Sequence, residues 1–443
     1  MNTPILDFLE KYSLSNSVRL HMPGHKGKTC GTKMDITEIN GADSLFDANG
    51  IIDESEKNLS FLYNTLFSLY STEGSTLAIK TMLALIFKYA KNIGEKPLIL
   101  AQRNVHSSFL YGVGLLGVEV EWIEAERRNL FSSTLNAKMV EEKLRAMQIK
   151  PTALYLTSPD YLGNILPIKE IAKVCKKHNV LLAVDNAHGA YFNFLENNIH
   201  PINLGADMCS DSAHKTLPTL TGGAYLHINK NFTYFSKHEV KRIMKTFAST
   251  SPSYLILSSL DSTNKYLFEN KNAFNECAKK VDKIKEYCVL LGFNLVGEEK
   301  LKITLDCKSF GYFGNELSLI LEQNNIAVEY ADKDFVVLMF SPLNTDEDYS
   351  RLKNVLSKIE RKKVIEEPIL TFTKPKRKMS IKDALFESEE KVKIEDAKGR
   401  IISSISVSCP PAIPLIFSGE VVDENVIKIM EYYDIKECYV VKE

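Results

Sequence analysis

The chain has 443 residues, too many for one compact core, so two or three domains are expected. Hydrophobic residues make up 44% of the chain and charged residues 25%, which is typical of a soluble globular protein. The formal net charge of −1 gives no reason to expect binding to nucleic acid or to an acidic membrane through the overall electrostatic field.

The eight cysteines are scattered and lack the C-x-x-C spacing of a zinc or redox site. We therefore expect no metal site and a reduced, cytoplasmic protein whose thiols, Cys209 among them, are mostly buried. The first residues lack the basic start and long apolar run of a signal peptide, and no apolar run is long enough to span a bilayer.

The first 50 residues predict a short helix over 5–12 and then an irregular arm that contains Pro and Gly. We expect this arm to pack onto a partner subunit, because a compact domain rarely contains so long an irregular segment without a function. From about residue 55 to 260, helical and strand patterns alternate, which predicts an α/β domain with a mainly parallel sheet. The expected helices are 75–89 and 168–177, and the expected strands are 97–101, 119–123, 153–157, 180–185 and 223–228.

Residues 264–358 have a different pattern, with helices predicted over 272–291 and 345–359 and strands over 302–306 and 336–340. This pattern indicates a smaller α+β domain. In the tail, the sequence Pro410-Pro411-Ala412-Ile413-Pro414 predicts a rigid, extended loop. The predicted domains are an arm over 1–54, a large domain over 55–263, a small α+β domain over 264–360, and a linker with a C-terminal domain over 361–443.

Two segments of the large domain carry the strongest chemical signal. Asp185 ends an apolar strand, and Lys215 follows 30 positions later in the Ser- and His-containing run from Ser210 to Pro218. A lysine amine forms a Schiff base with the aldehyde of pyridoxal phosphate (PLP), and an aspartate keeps the pyridine nitrogen protonated, so that the ring accepts electrons. A single lysine is usually a solvated surface group, but the ordered pair predicts a PLP site.

Four further residues are candidates for phosphate binding. Ser75 and Thr76 open a predicted helix, where free N–H groups attract anions, although an ordinary N-cap is the alternative. Ser212 and His214 flank the lysine and would complete the phosphate site or only form a turn.

Two histidines are candidates for contacts with the cofactor ring or the substrate. His106 follows a predicted strand, where residues line the crevice of a parallel sheet, so it either stacks on the ring or is an ordinary loop histidine. His188 follows Asp185 by three positions and is either catalytic or orients its neighbours.

These segments, in order, resemble the Orn/Lys/Arg decarboxylase family of PLP-dependent, fold-type-I enzymes in its short bacterial form. The resemblance covers nearly the whole chain. Its blocks are His21-Met22-Pro23-Gly24-His25-Lys26, Asp35-Ile36-Thr37-Glu38, Arg103-Asn104-x-His106, Thr157-Ser158-Pro159-x-Tyr161-x-Gly163, Asp185-x-Ala187-His188-Gly189, Ser212-x-His214-Lys215-Thr216-Leu217-Pro218, Thr250-Ser251-Pro252-Ser253-Tyr254, Ala397-x-Gly399-Arg400-Ile401 and Pro410-Pro411-x-Ile413-Pro414.

The resemblance implies a role for each matching residue. Lys215 would carry PLP, Asp185 would pair with the ring nitrogen, and His106 and Ala187 would pack on opposite faces of the ring. The residues implied at the phosphate are Ser75, Thr76, Ser212 and His214. Family members form homodimers or larger assemblies with active sites at the subunit interface, and the arm would contribute to that interface.

The implied reaction is decarboxylation of a basic L-amino acid (arginine, lysine or ornithine) to its amine, a step of polyamine biosynthesis. His214, His188 or Lys215 would return a proton to the α-carbon. The candidates for an acidic partner of the substrate's distal cation are Asp160, Glu329 and Glu420.

The chain departs from the family pattern at several positions, among them Asn186 in place of a usual Glu, Asp160 in place of Thr and Ala412 in place of Gly. Two alternatives stay open. One is another fold-type-I reaction, such as transamination, although no convincing arginine block for the α-carboxylate is present. The other is a catalytically weak paralogue that regulates a true decarboxylase.

Overall fold

The computed structural model describes residues 1–124, 129–367, 370, 372–404 and 412–443. It contains two compact units. The first unit comprises Met1–Pro97, Pro151–Leu156 and Ile168–Phe274, and the second comprises Leu98–Lys150, Thr157–Pro167 and Asn275–Glu443. Among the described residues, no helix has the length and apolar character needed to cross a membrane. The predicted Pro410-Pro411 loop lies outside the described ranges, as does Cys409.

The regular elements alternate along most of the chain. The helices are α1 (Pro4–Leu14), α2 (Ile51–Tyr63), α3 (Gly74–Asn92), α4 (Ser107–Leu116), α5 (Ala137–Ala146), α6 (Ile168–Lys177), α7 (Pro201–Leu204), α8 (Ala213–Thr216), α9 (Lys237–Lys245), α10 (Tyr254–Glu269), α11 (Ala273–Leu290), α12 (Gly314–Gln323), α13 (Asp346–Leu356), α14 (Ile381–Phe386) and α15 (Glu424–Tyr432). The strands are β1 (Phe67–Ser71), β2 (Leu98–Ala101), β3 (Glu119–Trp122), β4 (Ala153–Thr157), β5 (Leu181–Asp185), β6 (Met208–Asp211), β7 (Ala224–Ile228), β8 (Asn294–Val296), β9 (Lys302–Asp306), β10 (Tyr330–Ala331), β11 (Phe335–Met339), β12 (Glu389–Lys393) and β13 (Glu437–Val441).

The first unit contains strands in the order β1-β7-β6-β5-β4. β5 and β6 are parallel, with Asp185 opposite Ser210, whereas β7 is antiparallel to both β6 and β1. All five residues of β5 are buried, as expected for a central strand with both faces covered. The α/β fold with a mainly parallel sheet is confirmed, and β7 is an antiparallel exception.

β6 differs from the sequence prediction. No strand is predicted over 208–211, but Ser210 and Asp211, from the polar run around Lys215, form the end of this buried strand. The sequence Met-Cys-Ser-Asp shows neither the alternation nor the apolar run of a strand. It is stable there because its polar side chains find hydrogen-bond partners inside the protein.

Hydrogen bonds hold the N-terminal arm to the rest of the first unit, and Asp43 orders the end of the arm itself. The N–H groups of Ile5 and Leu6 donate to the Asp261 carboxylate at 2.9 and 3.0 Å, so a distant residue caps α1. The Asp43 carboxylate accepts from several N–H groups of the segment from Ser44 to Asp53. Between α1 and α2 the arm contains no further helix or strand, so its predicted irregular course is confirmed.

The second unit contains the parallel pair β2–β3, a sheet in the order β10-β11-β9-β8 whose neighbours are antiparallel, and the antiparallel pair β12–β13. A buried ion pair joins Arg103 and Glu420 through two hydrogen bonds of 2.6 and 2.7 Å. The Arg103 guanidinium also lies 4.1 Å from the centre of the Phe417 ring. The ion pair therefore fixes the segment around Glu420 to the end of β2.

Candidate active site

Lys215 lies in α8, a single helical turn that follows β6. Ser212 precedes this turn, and its carbonyl accepts from the Lys215 N–H at 3.0 Å. The Lys215 Nζ lies 3.2 Å from the His188 Nε2. When Lys215 is an ammonium group it only donates, so the His188 Nε2 then accepts and the ring proton lies on Nδ1. The structure thus brings together two of the three residues that we predicted to be catalytic.

Asp185, at the end of β5, is a buried carboxylate. Its Oδ1 accepts from the Ala187 N–H and from the Ser210 hydroxyl, each at 3.3 Å. Burial raises the pKa of Asp185 to about 6, although the positive charge of Lys215 opposes this rise. A cation placed beside this carboxylate would favour its charged form.

The segment from Asn186 to Gly189 is a turn that places His188. The Gly189 N–H donates to the Asn186 carbonyl at 2.8 Å, and the Asn186 N–H donates to the Ser210 carbonyl at 2.9 Å. A Cβ on Gly189 would lie 2.0 Å from the Asn186 Oδ1, so only glycine allows this close approach. His188 itself is buried and Ala187 is half-buried.

The predicted phosphate residues belong to neighbouring segments of the first unit. Ser75 and Thr76 lie in the first turn of α3, directly after Gly74, which has a left-handed φ of 67°. The Gly74 N–H donates to the Gly222 carbonyl at 2.8 Å. A Cβ on Gly74 would meet nothing within 4 Å, so there is open space at this helix N-terminus.

His214 bonds Gly223, the residue that follows Gly222. Its backbone N–H and its Nδ1 both bond the Gly223 carbonyl, at 3.1 and 2.9 Å. A carbonyl only accepts, so the ring proton lies on Nδ1, and Nε2 donates to an anion only when the ring is protonated. Ser212 is buried beside it at the N-cap of α8.

The other candidates belong to the second unit, where each has a local partner. The His106 side chain caps α4, accepting from the Ser108 N–H at 3.1 Å, so its stacking on a cofactor stays a prediction. Asp160 accepts from Leu162 and Asn164, and burial raises its pKa to about 6. Glu420 is bound by Arg103, whereas the exposed Glu329 accepts one hydrogen bond of 3.1 Å from the Tyr161 hydroxyl.

The residues of the first unit fit PLP. A buried carboxylate whose pKa is raised by burial suits a protonated ring nitrogen, and a lysine amine beside a histidine suits an aldehyde. The open N-terminus of α3 suits a phosphate.

Sequence reasoning missed residues beneath the site. The Tyr155 hydroxyl of β4 interacts with Asp185, and burial together with that negative charge raises the pKa of Tyr155 well above its usual value. A tyrosine in an otherwise apolar strand was the available signal. A second group surrounds Asp211, and the structure brings its side chain within 4.8 Å of the ligand atoms of His200 and Cys209. The scattered spacing of these residues gave no sign of this group.

Comparison with solved structures defines the class of fold. The chain is similar to the lysine decarboxylase of Francisella novicida, with a TM-score of 0.81 and 17% sequence identity, over 99% of this chain and 81% of that one. At this identity the likeness shows the fold, which is that of the fold-type-I enzymes.

Comparison of sequences then shows the family. A model described as the major domain of Orn/Lys/Arg decarboxylases matches residues 3–296, and a model of their C-terminal domain matches residues 363–439. The chain therefore belongs to the Orn/Lys/Arg decarboxylase family. It is 28% identical to the uncharacterised Bacillus subtilis protein YaaO, over 98% of this chain and 95% of that protein. It is 26% identical to the arginine decarboxylase of the same organism, over 98% of this chain and 94% of that enzyme.

Proposed function

We propose that this protein is a PLP-dependent decarboxylase that converts a basic L-amino acid and a proton into the corresponding amine and CO2. The observation that carries the proposal is the 3.2 Å contact of Lys215 with His188, next to the strand end that holds the buried Asp185. Membership of the Orn/Lys/Arg decarboxylase family supports it. The similar arginine decarboxylases of Bacillus subtilis and Halalkalibacterium halodurans make arginine the first substrate to test.

PLP bound at Lys215 would accept the electron pair that is left on the substrate when CO2 departs. Asp185 would keep the ring nitrogen protonated, and this pairing would return the carboxylate to its charged form. Ser75, Thr76, Ser212 and a protonated His214 would hold the phosphate, with Ala187 against one ring face and His106 against the other.

His188 and Lys215 are the proposed proton carriers. A neutral His188 Nε2 accepts a proton from the Lys215 ammonium, which leaves the amine able to react. The same pair would later return a proton to the α-carbon. His214 is the weaker candidate for this step, because its Nδ1 proton is engaged by the Gly223 carbonyl.

The distal cation of the substrate needs an acidic partner. Glu420 is committed to Arg103 and Asp160 to its own turn, so Glu329 is the first candidate among the three acids.

We also propose that the protein forms a homodimer or a larger homo-oligomer through its arm. Four apolar side chains between the end of α1 and the His21-Met22-Pro23 segment are 69–90% exposed, namely Leu14, Val18, Leu20 and Met22. Such a run of exposed apolar residues is typical of an interaction surface.

The cytoplasmic location of the protein also stays a prediction.

The test is amine formation by the purified protein loaded with PLP. Arginine, lysine and ornithine are offered separately, and the amine, CO2 and any keto acid are measured. We expect one amine, loss of at least roughly 10³-fold in its rate for Lys215→Ala, and little change for the exposed control Lys173→Ala. Sedimentation velocity of the same holoenzyme measures the oligomer.

Other products would contradict the proposal. A keto acid in place of an amine would identify an aminotransferase. A bound cofactor without turnover of any of the three amino acids would favour the regulatory paralogue.

A further inference from the structure

A fully buried polar cluster lies at the end of β6, centred on Asp211. The Asp211 Oδ2 lies 3.0 Å from the His200 Nε2 and 3.2 Å from the His227 Nε2. Its Oδ1 accepts from the Asn186 Nδ2 at 2.8 Å and from the Cys209 Sγ at 3.4 Å. All five side chains are buried, and the proposed chemistry uses none of them.

The hydrogen-bond directions fix the protons of this cluster. The His200 Nδ1 accepts from the Ile202 N–H at 3.4 Å, so its proton is on Nε2, facing Asp211. The Asp211 carboxylate only accepts, so the His227 Nε2 that faces it carries a proton, while the His227 Nδ1 lies 2.7 Å from the Ser68 hydroxyl. Burial would raise the pKa of Asp211, but the two histidines hold it well below its usual range. Asp211 is therefore a carboxylate with four donors.

Asn186 links this cluster to the active site. Its side chain is bound by Asp211 and its N–H by the Ser210 carbonyl, so two contacts with β6 hold one residue. Its carbonyl closes the turn at Gly189, and that turn carries His188 to within 3.2 Å of the Lys215 Nζ. A displacement of Asn186 would therefore move His188.

We propose that Asp211 is a positioning residue that acts through Asn186 to hold the His188 turn against Lys215. The inference rests on the proposed function, because the position of His188 matters only if the pair reacts. It also gives a reason for Asn186 where the resemblance would lead one to expect Glu, since a second carboxylate there would face Asp211.

The test compares Asn186→Asp, Asn186→Ala and the double variant Asn186→Asp with Asp211→Asn. In the double variant an amide at 211 donates to a carboxylate at 186, while its oxygen still accepts from both histidines. The matched control is Asp207→Asn at the opposite end of β6, where the carboxylate accepts from the Leu182 N–H at 2.7 Å. The readouts are kcat and KM, PLP affinity, and the circular dichroism of the visible cofactor band, which reports ring orientation.

We expect Asn186→Asp to lower kcat roughly 10- to 100-fold with KM within about twofold and an altered band, because a small misplacement of a reacting group costs this much. Asn186→Ala should show a smaller loss in the same direction and carries the test if the first variant does not fold. The double variant should recover kcat to within about fivefold of the parent, and the control should match the parent.

Unchanged kcat and band in both single variants of Asn186 would overturn the inference. So would stoichiometric metal in the purified protein whose removal abolishes the band, since His200, Cys209 and Asp211 would then be its ligands. Failure of the proposed function is separate, because it would show as a parent protein that forms no visible band with PLP or makes no amine.

Discussion

Asp185 and Asp211 end two neighbouring parallel strands and are almost equally buried, with 2% and 0% of their surface exposed, but they are solvated differently. Asp185 accepts two long hydrogen bonds of 3.3 Å and interacts with the Tyr155 hydroxyl, but burial still raises its pKa to about 6. Asp211 has four donors, and its pKa is held well below the usual range. Burial alone therefore does not determine the state of a carboxylate. The donors around it do.

Asp185 is therefore able to gain a further partner, whereas the hydrogen-bonding capacity of Asp211 is already used by the protein. A weakly solvated carboxylate gains most from a cation, which is the property that a cofactor site needs. A saturated carboxylate gains nothing from a ligand and instead fixes the groups that donate to it. Three predictions test this contrast, in order of decreasing effect.

The largest effect is expected for Asp185→Asn. An amide cannot keep the cofactor ring nitrogen protonated, so kcat for amine formation should fall roughly 10³-fold, on the order of 4 kcal/mol in activation free energy. Steady-state kinetics of the PLP-loaded variant measures this loss, with Asp207→Asn as the control. Activity within about tenfold of the parent would show that Asp185 does not hold the ring.

The same variant should affect the stability of the PLP-free protein in the opposite direction. The pKa of Asp185 is about 6 in the folded protein against a usual 3.8, so the folded state binds more protons than the unfolded state between these values. The cost of burying the charge is absent below about pH 4 and complete above about pH 6. Asp185→Asn should therefore match the parent at pH 4 and exceed its free energy of unfolding by about 1–3 kcal/mol at pH 8.

Urea unfolding of both PLP-free proteins at pH 4 and pH 8 measures this difference. If the free energy of unfolding of the variant exceeds that of the parent by the same amount at both pH values, burial of the Asp185 charge does not destabilise the folded protein. Addition of PLP should remove the advantage at pH 8, because the ring nitrogen then compensates the carboxylate of the parent.

Local pattern explains which parts of the site were predictable. β5 is a wholly apolar run that ends in a carboxylate, so its strand and the importance of Asp185 followed from sequence. The Lys215 turn followed from its small polar residues and the downstream glycines. The expected helix over 75–89 is α3, and the expected helix over 168–177 is α6 with the same bounds.

The Asp211 cluster could not be predicted in this way. Its members are Cys209 and Asp211 in β6, His227 in β7, Asn186 directly after β5 and His200 directly before α7, and only the pairing of the strands brings them together. Each polar residue appeared alone in sequence, where a polar group argues against a buried strand. Sequence alone also could not rank the three acidic candidates for the substrate's distal cation. Only the structure shows that Glu420 is bound by Arg103 and that Glu329 is exposed.

The smallest effect is expected for Cys209→Ser. A thiol is a weak donor, and at 3.4 Å it adds little to the three nitrogen donors that Asp211 already has. A hydroxyl preserves a donor but is smaller and more polar than sulfur, so the free energy of unfolding should change by less than about 1 kcal/mol.

The kcat of Cys209→Ser should stay within about twofold of the parent, because Asn186 and the histidines still hold the carboxylate. Urea unfolding and steady-state kinetics measure both quantities, with Cys175→Ser as the control variant at another buried thiol. A loss above about 2 kcal/mol that is specific to Cys209→Ser would show that Asp211 depends on its weakest donor, and the contrast with Asp185 would then lie in which donors are present rather than in how many.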